Sequence, residues 1–278
     1  MDIFTLRQQQ EQGSYDLRTT LRSVVINPVE RCNRTCIICP RSDELLYPTL
    51  NTEVSLEVVT KIANDLEAIN FEGRVGFDGL GEPLLHSNLV ECVSIVRKTI
   101  TRIKWLEVQT NGDYLTRDKI KELINAGCDT ISISMYDKDD TEKFQTLAKN
   151  LPVSLILRHH YDKSVNYNLH LVNRIDLANK NSKILNINRP CYVPFYKMFI
   201  DCNGDVLVCN NDWSRSSFIG NVLIDTIENI WLGNNLNTYR HNLINGNRKN
   251  CNPCNRCAID GTLLGKESAE IFRESLFS

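Results

Sequence analysis

The sequence predicts an α/β protein: a partial (β/α)6 barrel of the TIM type over residues 1–182, and a small hairpin-and-helix domain over 183–278. Three observations carry this. Short apolar segments alternate with amphipathic helical ones, the order that parallel β/α units impose. Six such units are too few to close an eight-stranded barrel, so one side should stay open. Polar residues with no place in a core gather where the strands end, the position of catalytic groups in such barrels.

In chain order, Ser23–Pro28 reads as a strand, and Ser55–Ile69 as a helix with Ser55 as its N-cap. Arg74–Asp78 is the second strand and Leu89–Ile100 the next helix. Lys104–Thr110 is the third strand, followed by a helix from Thr116 that stops near Ala126-Gly127. Thr130–Met135 is the fourth strand, with a helix near Asp139–Lys149; Val153–Arg158 and Asn168–Asn173 are the fifth and sixth. Beyond Asn186, Phe195–Ile200 and Asp205–Cys209 flank Asn203-Gly204, a strong hairpin signal. Helices follow at Thr226–Leu232, to about Leu243, and from about Lys266. So small a unit buries little core by itself, and a metal centre is the usual remedy.

The strand ends converge on one mouth. A loop with Cys32, Cys36 and Cys39 follows the first strand, and Asp78-Gly79-Leu80-Gly81-Glu82-Pro83 ends the second. Gln109-Thr110-Asn111-Gly112 ends the third, Ser134 the fourth, Arg158-His159-His160 the fifth and Asn173-Arg174 the sixth.

Composition narrows the function classes. Hydrophobic residues make up 42% of the 278, enough for a core, and the net charge of −2 offers no basic face for non-specific nucleic-acid binding. The N-terminus lacks the apolar run of a secretory signal, and no stretch is long enough to span a bilayer, so a cytoplasmic enzyme without a membrane partner is expected. Eleven cysteines in a reducing compartment point to metal ligands or reactive thiols rather than disulfides. Nine lie at 32–39 and 191–257; Cys92 and Cys128 stand apart and read as small buried hydrophobes.

The C-x3-C-x2-C run of Cys32, Cys36 and Cys39 offers three thiolates, which suits a four-iron cluster with one iron left open; half of a zinc knuckle is the alternative. This run, with Leu80-Gly81-Glu82-Pro83 as a variant of a "GGEP" motif, resembles the radical S-adenosylmethionine (SAM) enzymes. The resemblance implies a [4Fe–4S] cluster on Cys32, Cys36 and Cys39 with SAM on the open iron. Gly81, Glu82, Pro83, Thr110, Asn111 and Ser134 then become SAM contacts. Members usually carry an aromatic residue before the third cysteine; this chain has Ile38.

Cys191, Cys209, Cys254 and Cys257 are similarly spaced to the auxiliary-cluster domain called SPASM, in its shorter "Twitch" form, which implies one auxiliary [4Fe–4S] cluster. A four-cysteine zinc site would satisfy the same spacing. Cys251 could replace Cys254, join Cys202 at a further cluster, or stay a free thiol. Asn173-Arg174, ahead of Cys191, makes the layout similar to deoxy-scyllo-inosamine dehydrogenase-like enzymes. That implies oxidation of a secondary alcohol of a sugar or aminocyclitol to a ketone. Arg174 would ease loss of the hydroxyl proton, with Arg158 a further candidate, and flavodoxin or ferredoxin would donate electrons. An epimerase returning hydrogen from Cys251 or Cys202, a ribosomal-peptide maturase, and a zinc-binding scaffold are the alternatives.

Overall fold

The computed structural model describes residues 20–36, 39, 41, 51–136, 140–159, 188–257 and 259–277. Strands β1 (Ser23–Ile26), β2 (Arg74–Phe77), β3 (Trp105–Thr110), β4 (Thr130–Met135) and β5 (Ser154–His159) alternate with helices. These are α1 (Leu56–Ala68), α2 (Leu89–Thr99), α3 (Arg117–Asn125) and α4 (Asp140–Ala148). The strands pair in parallel in the spatial order β5-β4-β3-β2-β1. Each new strand joins the same edge with no reversal, which is how a barrel grows; a doubly wound sheet would reverse at a switch point. The fold is the partial TIM-type barrel that the alternation predicts. The expected sixth strand, Asn168–Asn173, lies outside the described residues.

Local chemistry sets the boundaries. The hydroxyls of Ser55 and Thr116 accept from Val58 N at 3.2 Å and Lys119 N at 3.1 Å, closing the first turns of α1 and α3; such caps contribute about 1 kcal/mol each. In β4, Ile131, Ile133 and Met135 enter the large core, while Ser132 and Ser134 alternate with them on the other face. Leu106 and Val108 of β3 do the same, which leaves Glu107 and Gln109 facing inward. The barrel interior is therefore polar. At its floor Arg74 Nε donates to Glu107 Oε2 at 2.7 Å and Nη1 to Ser23 Oγ at 3.2 Å, with all three residues buried.

The C-terminal segment does not form a sheet of its own. β6 (Lys197–Ile200) pairs in parallel with β1, Ser23 opposite Lys197, and β7 (Asp205–Leu207) and β8 (Phe218–Asn221) follow antiparallel. The hairpin thus extends the barrel sheet past β1. Phe195 and Tyr196, expected in the strand, instead close a single helical turn, α5 (Val193–Tyr196). Pro194 explains the difference, since its fixed φ suits the first turn of a helix. Gly204 takes the left-handed φ of +86° that the Asn-Gly turn requires; β8 had no distinct sequence signal.

Helices α6 (Ile227–Leu232), α7 (Asn234–Ile244) and α8 (Lys266–Phe277) complete the segment. Phe272 meets Phe195 and Trp231 edge to face, with centroids 5.7 and 6.0 Å apart. The Arg240 guanidinium, fully buried, lies 3.8 Å from the Phe272 centroid and donates to Pro194 O at 2.9 Å. Burial alone pulls its pKa well below the ordinary arginine value.

Candidate active site and auxiliary cysteine site

The loop after β1 is held open by its neighbours. Asn27 Oδ1 accepts from Leu80 N at 3.1 Å, and Arg31 O accepts from Glu82 N at 2.8 Å. Gly81 makes this approach feasible: a Cβ there would sit 2.1 Å from Val29 O and 2.5 Å from Arg31 O. On the other side, Asn33 Nδ2 donates to Asp113 Oδ2 at 2.6 Å and Arg34 pairs with the same carboxylate. Arg34 also lies over the Tyr136 ring, 4.7 Å from its centroid. Paired with Arg34, Asp113 has its pKa held below the usual carboxylate range. Asp113 and Tyr136 follow strands three and four directly; only their position at strand ends signals them in the sequence.

Cys32, Cys36 and Cys39 line a cavity of about 320 Å³ together with Gly81, Glu82, Thr110, Asn111, Ser134 and Arg158. Glu82 borders the cavity as an expected SAM contact. Its carboxylate is buried and accepts from Thr110 Oγ1 at 2.6 Å, Asn111 N at 2.7 Å and Leu84 N at 3.0 Å. These bonds fasten the ends of β2 and β3 together, and of the roughly four acceptor positions of a carboxylate one is left for a ligand. Burial raises its pKa against the pull of these bonds. Pro83 is buried at the start of a 3-10 turn, Pro83–Leu85, and serves that turn. Asn111 Nδ2 donates to Asn33 Oδ1 at 2.8 Å, tying β3 to the cysteine loop.

The same cavity is bounded across from the cysteine loop by Val193, Asn211, Trp213, Asp260 and Gly261 of the C-terminal segment. Behind that wall stand Cys191, Cys209, Cys254 and Cys257. Cys191 bridges to Gly261, with Tyr192 N donating to Gly261 O at 2.7 Å. Arg248, buried and unforeseen from the sequence, donates to Arg189 O at 2.9 Å, Pro190 O at 2.7 Å and Ile259 O at 2.9 Å. It therefore braces the backbone just before Cys191 and just beyond Cys257.

No three cysteine sulfurs among the described residues lie mutually within 4.8 Å; only Glu30, Asp201 and Cys202 form such a group there. A tetrahedral zinc with bonds of about 2.3 Å would have to draw its sulfurs to about 3.8 Å of one another, whereas a cluster whose irons each take one thiolate makes no such demand. Backbone amides already point at sulfur in both cysteine groups: Arg34 N donates to Cys32 Sγ at 3.5 Å and Asn211 N to Cys209 Sγ at 3.4 Å. Burial pushes the Cys191 thiol up to about 11 and raises Cys209, Cys254 and Cys257 too; neighbouring thiolates add to it at Cys209 and Cys254, while the Ile259 amide, Arg248 and Arg189 pull Cys257 back. Such thiols ionise when a metal replaces their protons.

Other expected residues are placed elsewhere. Cys251 and Cys202 are buried, and neither borders the cavity. The Cys202 thiol faces Asn27 O at 3.3 Å, and Cys251 packs in the main core. Cys92 and Cys128 are core residues. Arg158 reaches the cavity from β5, opposite Ser134 in register, and its buried Nε has no hydrogen-bond partner among the described residues. Arg174, His160 and Ile38 lie outside the described residues.

Comparison with known proteins agrees with this arrangement. Residues 26–152 match the profile of the radical SAM superfamily, and residues 191–258 that of SPASM, an iron–sulfur cluster-binding domain. The chain carries a radical SAM domain over residues 26–152 and a SPASM domain over residues 191–258. It is 26% identical over 231 residues to the S-adenosyl-L-methionine-dependent 2-deoxy-scyllo-inosamine dehydrogenase of Niallia circulans, covering 82% of this chain and 88% of that protein. It is 31% identical over 130 residues to a GTP 3',8-cyclase of Chlorobaculum tepidum, covering 47% of this chain and 37% of that one. Among solved structures, BtrN in complex with AdoMet and 2-DOIA superposes with a TM-score of 0.75 at 24% identity, covering 89% of this chain and 97% of that chain. At that identity the superposition establishes the fold. The two domains imply a SAM-binding [4Fe–4S] cluster and an auxiliary iron–sulfur cluster. Among the described residues no helix is long and apolar enough to cross a membrane.

Proposed function

We propose that the chain is a radical SAM dehydrogenase that oxidises a secondary alcohol of a small polar substrate, a sugar or aminocyclitol, to a ketone. Cys32, Cys36 and Cys39 hold the first [4Fe–4S] cluster, and Cys191, Cys209, Cys254 and Cys257 the auxiliary one. The boundary between the two units falls at 182/183, within the stretch that separates the two family matches.

The observation that carries this reading is the shared cavity. Cys32, Cys36 and Cys39 border it from one side and the Gly261 backbone, against Cys191, from the other. A cluster held by Cys32, Cys36 and Cys39 with SAM would supply radical hydrogen abstraction, and a cluster held by Cys191, Cys209, Cys254 and Cys257 would supply an electron acceptor. The chain's own residues bind, orient and shield. Thr110, Asn111 and Ser134 line the SAM side, Gly81 brings the strand-two backbone to the cysteine loop, and Glu82 and Pro83 hold that wall in shape. Arg158 offers a guanidinium N–H to a substrate oxygen, and a charged donor there stabilises the alkoxide as the hydroxyl proton leaves. Arg174 is proposed for the same oxygen on its sequence position.

A thiol-dependent epimerase is less well served, because Cys251 and Cys202 lie off the cavity. Flavodoxin or ferredoxin is the proposed electron donor, and the cytoplasm the proposed compartment. The test is anaerobic incubation of the reconstituted protein with SAM, a reductant and 2-deoxy-scyllo-inosamine. A product lighter by about two mass units, formed with one 5′-deoxyadenosine, supports the reading. An unchanged mass that gains one deuterium in heavy water points to epimerisation instead and overturns it.

A further inference from the structure

Between the two cysteine sites runs a buried network that neither site uses. Glu30, two residues before Cys32, and Asp201, just after β6, are 3% and 2% exposed. Asn27 Nδ2 donates to Glu30 Oε1 at 2.8 Å and to Asp201 Oδ1 at 2.7 Å. Arg41, beyond the cysteine loop, pairs with Glu30 at 3.2 Å and donates to Leu80 O. Arg215 enters from the turn after Cys209 and pairs with both carboxylates at once. Two carboxylates meet two guanidiniums, so among the described residues the group is charge-neutral. Glu30, Asp201 and Cys202 have the spacing of a cation site, but the guanidiniums already occupy that role.

The backbone supplies an independent observation. Arg215 sits at φ +52°, in the left-handed region that costs a residue with a Cβ of order 1 kcal/mol. The turn that enforces it is tightly tied: the Asp212 carboxylate accepts from Ser216 N at 3.1 Å and Ser217 N at 2.7 Å, and Asp212 N donates to Cys209 O at 3.1 Å. Trp213 of the same turn packs with Val25, Leu80, Phe199 and Leu207 against Cys39. A disfavoured conformation is thus maintained at the residue whose side chain joins the two segments.

We infer that Arg215 is a positioning residue: through Glu30 and Asp201 it locks the loop bearing Cys32, Cys36 and Cys39 to the turn bearing Cys209. The distance and orientation between the two cluster sites are set by this bridge. The inference rests on the two-cluster reading above. Removing Arg215 leaves one uncompensated carboxylate beside the SAM loop and frees the Cys209 turn.

The experiment compares Arg215→Gln, Arg215→Lys and Arg215→Gln/Asp201→Asn with the wild-type holoenzyme. The readouts are iron content, hydrogen exchange of residues 27–36, the KM for SAM, and 5′-deoxyadenosine formed per ketone. Arg215→Gln should keep its iron, exchange faster in that segment, raise the KM for SAM about tenfold and form excess 5′-deoxyadenosine. Arg215→Lys, a point charge without the fork, should fall between. The double variant, neutral again but without the bridge, should keep the faster exchange and the excess 5′-deoxyadenosine. Wild-type exchange and an unchanged ratio in Arg215→Gln overturn the inference, as does a double variant restored to wild type, which would assign the effect to net charge. Should Arg215→Gln fail to fold, wild-type behaviour of Arg215→Lys overturns it equally. Wild-type protein that binds no iron refutes the two-cluster reading instead.

Discussion

Gly261→Ala tests the auxiliary site through a residue that holds no metal. A Cβ on residue 261 would lie 2.2 Å from Cys191 Sγ, 2.9 Å from its Cβ and 3.0 Å from its Cα. Ordinary contact begins near 3.4 Å, so the sulfur or the bridge must give by more than an ångström. Metal–ligand distances tolerate about 0.2 Å, so a sulfur displaced that far leaves the coordination sphere. Moving the backbone instead breaks the 2.7 Å bond from Tyr192 N to Gly261 O, at a cost of about 1 kcal/mol or more in a buried setting. Either way the site around Cys191 is lost while Cys32, Cys36 and Cys39, on a different loop, are untouched. Iron and sulfide assayed after anaerobic reconstitution should fall to about half, since each site would hold four irons. 5′-Deoxyadenosine should still form, while ketone formation fails. Cys191→Ala should give the same pattern. Full iron and normal ketone yield in Gly261→Ala would mean that Cys191 is not a ligand, and would refute the reasoning.

Further outcomes follow from the geometry. Cys32→Ala should abolish SAM cleavage and also halve the iron, whereas Cys251→Ser should keep both clusters and lose only about 1–2 kcal/mol for a buried hydroxyl, read by denaturant unfolding. Glu107→Ala strands the Arg74 guanidinium at the barrel floor and should cost about 3–5 kcal/mol, by the same measurement. Burial pushes the Cys92 and Cys128 thiols up to about 12 in the folded chain, against about 9 when unfolded, so the metal-free protein should be stable below pH 9 and lose stability as the pH rises toward 12. The slope of Tm against pH should flatten in Cys92→Ala/Cys128→Ala. Arg158→Gln should leave SAM cleavage in the absence of substrate unchanged and lower kcat/KM for the alcohol by about a hundredfold, in steady-state assays of ketone formation.

What could be read from the sequence divides along a physical line. Strand periodicity, the Ser55 and Thr116 caps and the Asn203-Gly204 turn are encoded within a few residues, so their boundaries emerged nearly unshifted. The polar strand ends were legible because a barrel core has no use for Asp78, Asn111 or Arg158, and their placement around one cavity follows from strand order alone. Pro194 was also visible, yet the apolar run Phe195–Ile200 outweighed it, which cost the first two residues of that strand. Residues whose meaning depends on distant partners stayed silent. Arg248 reads as a surface charge near Cys251, although it is buried with its donors on carbonyls up to 59 residues away. Glu82 shows the opposite case. Its motif marks it as a SAM contact, and the amides and hydroxyl converging on it also make it a bracket between β2 and β3. The same logic applies to Glu30 and Asp201, separated by 171 positions and joined through the side chains of Asn27 and Arg215. A site assembled from strand ends can be inferred from local patterns, whereas the braces that keep two such sites in register are written only in the packing.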